Sequence, residues 1–428
     1  MSNIAVEIKP CLETKTITDD VDIKSNNGIY KLLSFEEVKE ITKRVLKDDV
    51  TVMEYVIRPY SDGKMGYLGS HYRLNIVAST KKEETVAFSL FLKAVPYEVP
   101  EQADYVINKG VFEKEIKFYD VILPLLREGY HGKPWAPMCY KVKDNLIVFE
   151  ELGNKSYSTR NKLFDETLMR AGLSAIARLH AASLLAEARL GIPFNQLYPD
   201  TFTEKAFTRD GQTQEWLKQG EDVAAIIAER YGYDPHLIHA VCKRIYDSLE
   251  PSCTKMNVVS HGDLWGNNLM FNNDVSPNCL LVDYQLLRYS PLAHDVAQIL
   301  YLCADRSFRE ARESAMLRHY YETLCEILNA HKAPRKPAWS ELIEGMEEQR
   351  LGAVITAVFY FPTVLMDESI SMEIMSDSTS YNEYCFLNRK KFILPIMKKD
   401  PVYERRLNEA VIEMAELASR LDQLPKPS

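Results

Sequence analysis

The stretch of sequence that most restricts the fold of this 428-residue chain lies between residues 258 and 288. It reads VVSHGDLWGNNLMFNNDVSPNCLLVDYQLLR, in which short apolar runs are separated by turns rich in Gly, Asn and Asp. That pattern predicts strands joined by hairpin turns. Asp263 and Asp283 each follow an apolar strand, so a hairpin here would bring both carboxylates to the same end.

The spacing of the polar residues in this stretch fits phosphoryl transfer from a nucleotide. That reaction needs a metal ion to neutralise the phosphates and a carboxylate to accept the proton of the attacking hydroxyl. In the pattern H-x-D-x-x-x-x-N, Asp263 is the candidate carboxylate and Asn268 a candidate oxygen ligand, while Asp283 is the candidate anionic ligand. Mg²⁺ takes few protein oxygens because phosphate and water complete its octahedron. A lone H-x-D is common, but the whole combination favours a catalytic loop.

The motifs HGDLWGNN and LVDYQL resemble those of the ecdysteroid kinase-like family, a branch of the choline-kinase and aminoglycoside-phosphotransferase group. The loop also follows the general kinase pattern, with Gly262 where protein kinases usually carry Arg. No A-P-E element follows, and Asp295 comes twelve residues after Asp283, which leaves no room for a long activation segment. The resemblance implies an α+β, two-lobed protein-kinase-like fold. Its first lobe would have a small antiparallel sheet and one main helix, and its second lobe would be larger and mostly helical.

Together, the resemblance and the local patterns divide the chain into a polar lead-in (1–30), an N-terminal nucleotide-binding lobe (31–150) and a C-terminal lobe (151–428). The C-terminal lobe would hold the catalytic loop and the acceptor site. Residues 34–37, SFEE, have the form of a capping box and predict a helix to about residue 46. Apolar runs then predict strands at 50–58, 67–78, 85–95, 139–142 and 146–149. Helical periodicity dominates from residue 163, outside the catalytic loop.

One lysine, Lys93, lies inside the apolar strand sequence FLKAV. A surface-facing lysine on an edge strand is the usual explanation, but the position matches that of the kinase lysine that binds the α- and β-phosphates. A buried ammonium needs a partner, and Glu113 and Glu115 on the predicted helix 111–127 are both candidates. Glu115 is preferred because it lies beside the apolar stripe of that helix, and because its E-x-x-F-Y context resembles the family.

The segment 61–70, SDGKMGYLGS, lies between the first two predicted strands of the sheet. Its glycines would let backbone N–H groups approach phosphates. The spacing is not G-x-G-x-x-G, and a glycine-containing hairpin turn is an equally good interpretation of the segment alone. Its position before the Lys93 strand favours the phosphate loop, with Ser70 expected to reach the nucleotide.

Several further roles come from the resemblance. It implies that Glu150 and Leu152 lie at the hinge between the lobes, where the adenine of ATP bonds to backbone groups. It implies that His261 orients the backbone of the catalytic loop, and that Asp295 ties this loop down. Asp295 also suits the N-terminal dipole of a predicted helix. His180, in an L-H-A-x-S element like that of the family, is expected to support the loop structurally.

Composition and charge exclude other classes of function. A net charge of −9 disfavours a general nucleic-acid-binding surface. The eight cysteines include no C-x-x-C pair, which predicts reduced thiols rather than disulfides or a zinc site. The first thirty residues lack the apolar core of a secretory signal. The longest apolar run, 351–366, contains Pro362 and is shorter than the roughly 20 residues of a membrane span. We therefore expect a cytoplasmic protein without a transmembrane segment or an obligate protein partner.

The resemblance implies an ATP- and Mg²⁺-dependent kinase that phosphorylates a small-molecule alcohol, with an ecdysteroid or another hydroxylated lipophile as the leading acceptor. Choline- or ethanolamine-type and aminoglycoside-type acceptors are alternatives. An inactive pseudokinase that binds a ligand or a partner is the alternative of another class. It is disfavoured because Lys93, Asp263, Asn268 and Asp283 are all present. Helix-spaced aromatics more often form a core than a ligand site, so none is assigned to the acceptor site. The candidates are the aromatic residues of the C-terminal helices Phe359, Tyr360, Phe361, Tyr381, Tyr384 and Phe386.

Overall fold

The N-terminal lobe is built on an antiparallel sheet in this computed structural model, which describes residues 22–25, 28–61, 68–209 and 211–428. Seven strands precede residue 151 in that part of the chain: β1 Asp22–Ser25, β2 Gly28–Lys31, β3 Val50–Pro59, β4 Ser70–Thr80, β5 Thr85–Ala94, β6 Cys139–Lys143 and β7 Leu146–Glu150. β1 and β2 form a hairpin at the end of the predicted lead-in, of which residues 1–21, 26 and 27 lie outside the described residues. The other five strands form one sheet in the order β3-β4-β5-β7-β6, which confirms the five predicted strands.

Four α-helices accompany this sheet: α1 Phe35–Leu46, α2 Pro100–Lys109, α3 Val111–Lys117 and α4 Leu123–Arg127. The capping box of α1 is present, because the Ser34 side chain accepts from the Glu37 N–H while the Glu37 carboxylate accepts from the Ser34 N–H. The single helix predicted over 111–127 is interrupted by a π-helical turn at Phe118–Ile122. Pro124 explains the change, since proline has no N–H and crowds the carbonyl four residues before it, within that turn.

β7 separates two hydrophobic cores because its side chains alternate between the two faces of the sheet. Leu146 and Val148 belong to the core beneath α1, whereas Ile147 and Phe149 belong to the large core shared with the C-terminal lobe. Lys93 of β5 is the register partner of Ile147. The side chain of Lys93 therefore lies on the face of the sheet that is turned towards the C-terminal lobe.

The C-terminal lobe is mostly helical, as predicted. Its α-helices are α5 Glu166–Leu190, α6 Phe194–Leu197, α7 Gly211–Arg230, α8 Pro235–Cys242, α9 Ala293–Cys303, α10 Arg306–Ala330, α11 Trp339–Val364, α12 Glu368–Ser376, α13 Ser378–Asn382, α14 Lys390–Lys399 and α15 Pro401–Ala418. A π-helical turn, Glu383–Leu387, follows α13. Across the described ranges, no single helix is long and apolar enough to cross a membrane. Taken together, α11 and α12 are long and apolar enough for a membrane span, but the two helices are bent by 83° relative to each other.

The stretch 258–288 forms two small antiparallel pairs rather than one hairpin. Its strands are β8 Asn257–Ser260, β9 Leu269–Phe271, β10 Cys279–Leu281 and β11 Arg288–Pro291. β9 pairs with β10, as expected for a hairpin, but β8 pairs with β11. The loop with Asp263 therefore runs from β8 to β9, and the turn after Asp283 runs from β10 to β11.

Candidate active site

Asp263 lies in the loop between β8 and β9 with its side chain buried. The Asn268 Nδ2 donates to the Asp263 carboxylate at 2.9 Å and to the Asp263 carbonyl at 2.8 Å. Because both bonds use the amide nitrogen, Oδ1 is the atom that Asn268 can offer to a cation. Burial, with the negative charge of Asp283 as the second cause, raises the pKa of Asp263 to about 7. A carboxylate with that pKa is suited to accept a proton near neutral pH.

Asp295, in the first turn of α9, holds the backbone of the catalytic loop. Its carboxylate accepts from the N–H groups of His261 at 2.7 Å and Gly262 at 3.0 Å. The Nε2 of His180 lies 3.1 Å from the same carboxylate, and the group is fully buried. Burial, the largest single cause, raises the pKa of this carboxyl group, but the hydrogen bond with His180 and the electrostatic interactions with the surrounding histidines together outweigh it and lower the pKa of Asp295 to about 2. Asp295 is therefore ionised and anchors the loop.

Both ring nitrogens of His261 are engaged within the protein. Nε2 lies 2.9 Å from the Val282 carbonyl, and Nδ1 accepts from the Asp263 N–H at 3.2 Å. A carbonyl can only accept, so these bonds require the neutral tautomer with its proton on Nε2. Burial lowers the pKa of His261, which agrees with a neutral ring. The geometry suits the orienting role expected for His261 and leaves no ring nitrogen for proton transfer.

Lys93 lies between two carboxylates and is only 5% exposed. Its Nζ is 2.5 Å from Glu115 and 2.7 Å from Asp283. Burial opposes the charge on Lys93, but the two carboxylates outweigh it and raise the pKa of Lys93 above its usual value. Glu113, the other candidate partner, is exposed on the opposite side of α3 from this pair. The edge-strand interpretation of Lys93 is wrong, because β5 lies between β4 and β7.

Asp283 has a left-handed backbone with φ +68°, a conformation that Asp tolerates better than most residues. The next residue, Tyr284, stacks on Phe118 of the π-helical turn with ring centroids 3.7 Å apart. The oxygen atoms of Asp283 and Asn268 are hard ligands of the kind that Mg²⁺ prefers. Among the described residues, no group of three or more His, Cys, Asp or Glu side chains is placed to hold a metal by itself. This donor set fits an ion that keeps water and phosphate ligands.

Three further residues, Glu150, Leu152 and Ser70, were predicted to contact the nucleotide, and these contacts stay predictions. Glu150 and Leu152 line the cleft between the lobes. Glu150 also pairs its backbone N–H with the Met138 carbonyl, and its side chain contacts Lys155. Ser70 donates to Glu98 at 2.6 Å. Residues 62–67 of the predicted phosphate loop lie outside the described residues, so that prediction stays a prediction.

The cleft between the lobes has a volume of about 410 Å³ and contains Lys93, Glu115, Asp263, Asn268 and Asp283. Apolar and aromatic side chains from α2, α7, α11, α12 and the π-helical turn 383–387 line another part of this cleft. They include Tyr105, Trp216, Tyr360, Val364, Met375 and Phe386. The sequence analysis named Tyr360 and Phe386 without assigning them, and it missed Tyr105 and Trp216. The only available signal, helical spacing of aromatics, is the same for a core and for a pocket wall.

Comparison with known proteins gives a family and several distant likenesses. The sequence profile of the ecdysteroid kinase-like family matches residues 64–333. An uncharacterized kinase-like protein of Caenorhabditis elegans is 25% identical over 242 residues, which span 55% of this chain and 61% of that protein. Spectinomycin phosphotransferase in complex with ADP and spectinomycin aligns over 91% of this chain and 99% of its own, with a TM-score of 0.42 and 10% identity. Ethanolamine kinase of Plasmodium vivax aligns over 82% and 83%, with a TM-score of 0.38 and 11% identity.

Proposed function

The chain belongs to the ecdysteroid kinase-like family of small-molecule phosphotransferases, and on this premise we propose that it transfers the γ-phosphoryl group of ATP to a hydroxyl of a lipophilic, steroid-like alcohol. The observation that carries the proposal is that one cleft holds the Asp263–Asn268 pair and the Lys93–Glu115–Asp283 cluster. These are the groups that phosphoryl transfer to an alcohol requires: a proton acceptor, a cation for the phosphates and oxygen ligands for a metal.

The proposed mechanism assigns one task to each group. Asp263 orients the acceptor hydroxyl and accepts its proton as the oxygen attacks the γ-phosphorus, while the bond to the leaving ADP oxygen breaks. Lys93 neutralises the α- and β-phosphates, and Glu115 keeps the Lys93 ammonium in place. Mg²⁺, held by Asn268 and Asp283, would supply further charge neutralisation when bound. His261 and Asp295 fix the backbone that carries Asp263.

We place the acceptor beside this apolar and aromatic part of the cleft, the acceptor end, whose lining supports a lipophilic acceptor over a cationic one. Apolar and aromatic side chains favour burial of an apolar molecule at about 25 cal/mol per Å². Ethanolamine- and aminoglycoside-type acceptors carry ammonium groups that call for carboxylates. The quaternary ammonium of a choline-type acceptor can also bind on aromatic faces, so the charges nearby have to separate it from a neutral lipophile. Among the described residues that line this end beyond Asp263, Glu368 is acidic, whereas Lys109 and Lys205 are basic. This charge balance favours a neutral hydroxylated lipophile.

The test is Mg²⁺-dependent ATP consumption by the full chain with sterols, amino alcohols and aminoglycosides, alongside Asp263→Asn. We expect turnover with a hydroxylated lipophile and at least a hundredfold loss in the variant, since a general base contributes about 10²–10⁴ in rate. Turnover with amino alcohols alone would show that the acceptor is an amino alcohol and not a lipophile. ATP binding without turnover for every acceptor would favour the pseudokinase, and absence of ATP binding would refute the proposal.

A further inference from the structure

Lys114, the residue before Glu115 on α3, is buried and makes two hydrogen bonds from the N-terminal lobe to the C-terminal lobe. Its Nζ donates to the Leu287 carbonyl at 2.8 Å and to the Thr203 carbonyl at 2.7 Å. Burial lowers the pKa of Lys114 to about 7. Both the ammonium and the neutral amine have enough N–H groups for two carbonyls, so the contact holds in either form.

The first of these carbonyls belongs to the turn that follows Asp283, and α3 holds that turn at both ends. At its start, the Tyr284 backbone N–H interacts with the Glu115 carboxylate. Leu287, at its end, donates its N–H to the Tyr284 carbonyl at 3.3 Å and receives the bond from Lys114. Two consecutive residues of one helix therefore bracket the turn next to a proposed metal ligand.

The second carbonyl connects α3 to an ion pair between Glu204 and the buried Arg288. Glu204, which follows Thr203, accepts from Arg288 Nε at 2.6 Å and from Arg288 Nη2 at 3.1 Å. Arg288 follows Leu287, and its Nη1 lies 3.4 Å from the Gly262 carbonyl of the catalytic loop. Lys114 thus contacts the backbone beside both members of this pair, and the pair contacts the loop that carries Asp263.

We propose that Lys114 is a positioning residue that fixes α3 against the C-terminal lobe. It thereby keeps Glu115 in contact with Lys93, and Lys93 in contact with Asp283, in a chain that has no room for a long activation segment. The inference rests on the proposed phosphotransfer function and extends its nucleotide-binding part. Local structure does little to fix α3, which has seven residues, begins after Gly110 without a side-chain cap and ends in a π-helical turn. The chain from Asp283 to α9 is also short, because α9 begins ten residues later.

The experiment compares Lys114→Met with the wild type in the full chain, by calorimetric titration with Mg-ATP and by steady-state kinetics. We expect ATP to bind about tenfold more weakly and its KM to rise to match, because Glu115 no longer holds Lys93 in register. The KM of Lys114→Met for the acceptor should stay within about two-fold of the wild-type value. Lys117→Met, which changes an exposed lysine of the same helix, is the matched control and should bind ATP as the wild type does. Lys114→Arg keeps N–H donors and should recover part of the loss.

If the wild type binds ATP and Lys114→Met binds it equally well, the inference about Lys114 is overturned while the proposed function stands. A lower Tm with equal changes in the ATP and acceptor constants would also overturn it, because a merely structural residue acts on both. If Lys114→Met does not fold, Lys114→Gln decides, because its shorter side chain cannot bridge the two carbonyls as Lys114 does. A loss restricted to ATP in Lys114→Gln supports the inference, and wild-type ATP binding in that variant contradicts it. A wild-type chain that does not bind ATP would refute the proposed function together with this extension.

Discussion

Replacing Gly262 with alanine tests whether the catalytic loop needs a backbone that glycine alone adopts without strain. Gly262 has φ +76°, and an added Cβ would lie 2.2 Å from the Leu286 carbonyl oxygen. A left-handed backbone costs a residue with a side chain about 1–2 kcal/mol. The contact with Leu286 adds an overpacking cost of about 1–3 kcal/mol. We therefore expect Gly262→Ala to lower the free energy of unfolding by about 2–5 kcal/mol.

The same substitution should lower activity in the molecules that remain folded. Relief of the contact requires the loop or the turn at Leu286 to move by nearly 1 Å, and these two segments carry Asp263 and Asp283. A displacement of about 1 Å near reacting groups costs roughly a hundredfold in rate. The expected result is a kcat about a hundredfold lower at a temperature where the variant is folded. Chemical denaturation gives the stability, and coupled ADP release gives kcat.

Gly232→Ala is the matched control for backbone strain. Gly232 has φ +82°, and an added Cβ would meet nothing within 4 Å. It should lose about 1–2 kcal/mol of stability and keep its kcat, because only the backbone cost applies. Equal stability losses and equal kcat values in the two variants would show that the Leu286 contact is not what requires glycine at residue 262.

Two further predictions concern the charges of the site. The kcat/KM should rise with pH through about 7, because burial raises the pKa of Asp263 to about 7 and only the ionised form accepts a proton. A kcat/KM for ATP that stays flat between pH 6 and 8, measured at limiting Mg-ATP so that the metal-free enzyme is titrated, would contradict that role. Glu115→Gln should raise the KM for ATP about tenfold through loss of the ion pair with Lys93. Glu113→Gln, at an exposed position of the same helix, should leave it unchanged, and equal effects of the two would refute the assignment.

The proposed base and metal ligands could be predicted from the sequence because they lie close together in the chain. Asp263, Asn268 and Asp283 fall within 21 residues, and turn chemistry constrains their surroundings. The strand pairing around them was harder to predict. β8 joins β11 across the intervening β9–β10 pair, so its partner depends on packing between segments some 30 residues apart.

The acceptor end could not be read in the same way, since its walls come from distant parts of the chain. Tyr105 lies on α2, Trp216 on α7 and Tyr360 on α11. The sequence analysis missed α2 altogether: Pro100 and Gly110 mark its ends, but Val99 provides no side-chain cap. Its place depends instead on a tertiary bond, from the buried Gln102 side chain to the Met375 carbonyl at 2.7 Å. No pattern of spacing within α2 indicates such a contact.

Helix geometry explains why residues 113–115 were only partly predictable. Consecutive residues of an α-helix are about 100° apart, so three in a row span about 200°. With Glu113 facing solvent, Glu115 and much of Lys114 must turn towards protein. The sequence E-K-E at residues 113–115 is typical of a solvent-exposed, charged helix face. If Glu115 faces the protein interior, Lys114 lies at the edge of the buried surface. A lysine there needs acceptors, which the carbonyls of Thr203 and Leu287 provide. The charged partner of Lys93 could thus be chosen from the helix alone, whereas the role of Lys114 depends on backbone atoms 89 and 173 residues away.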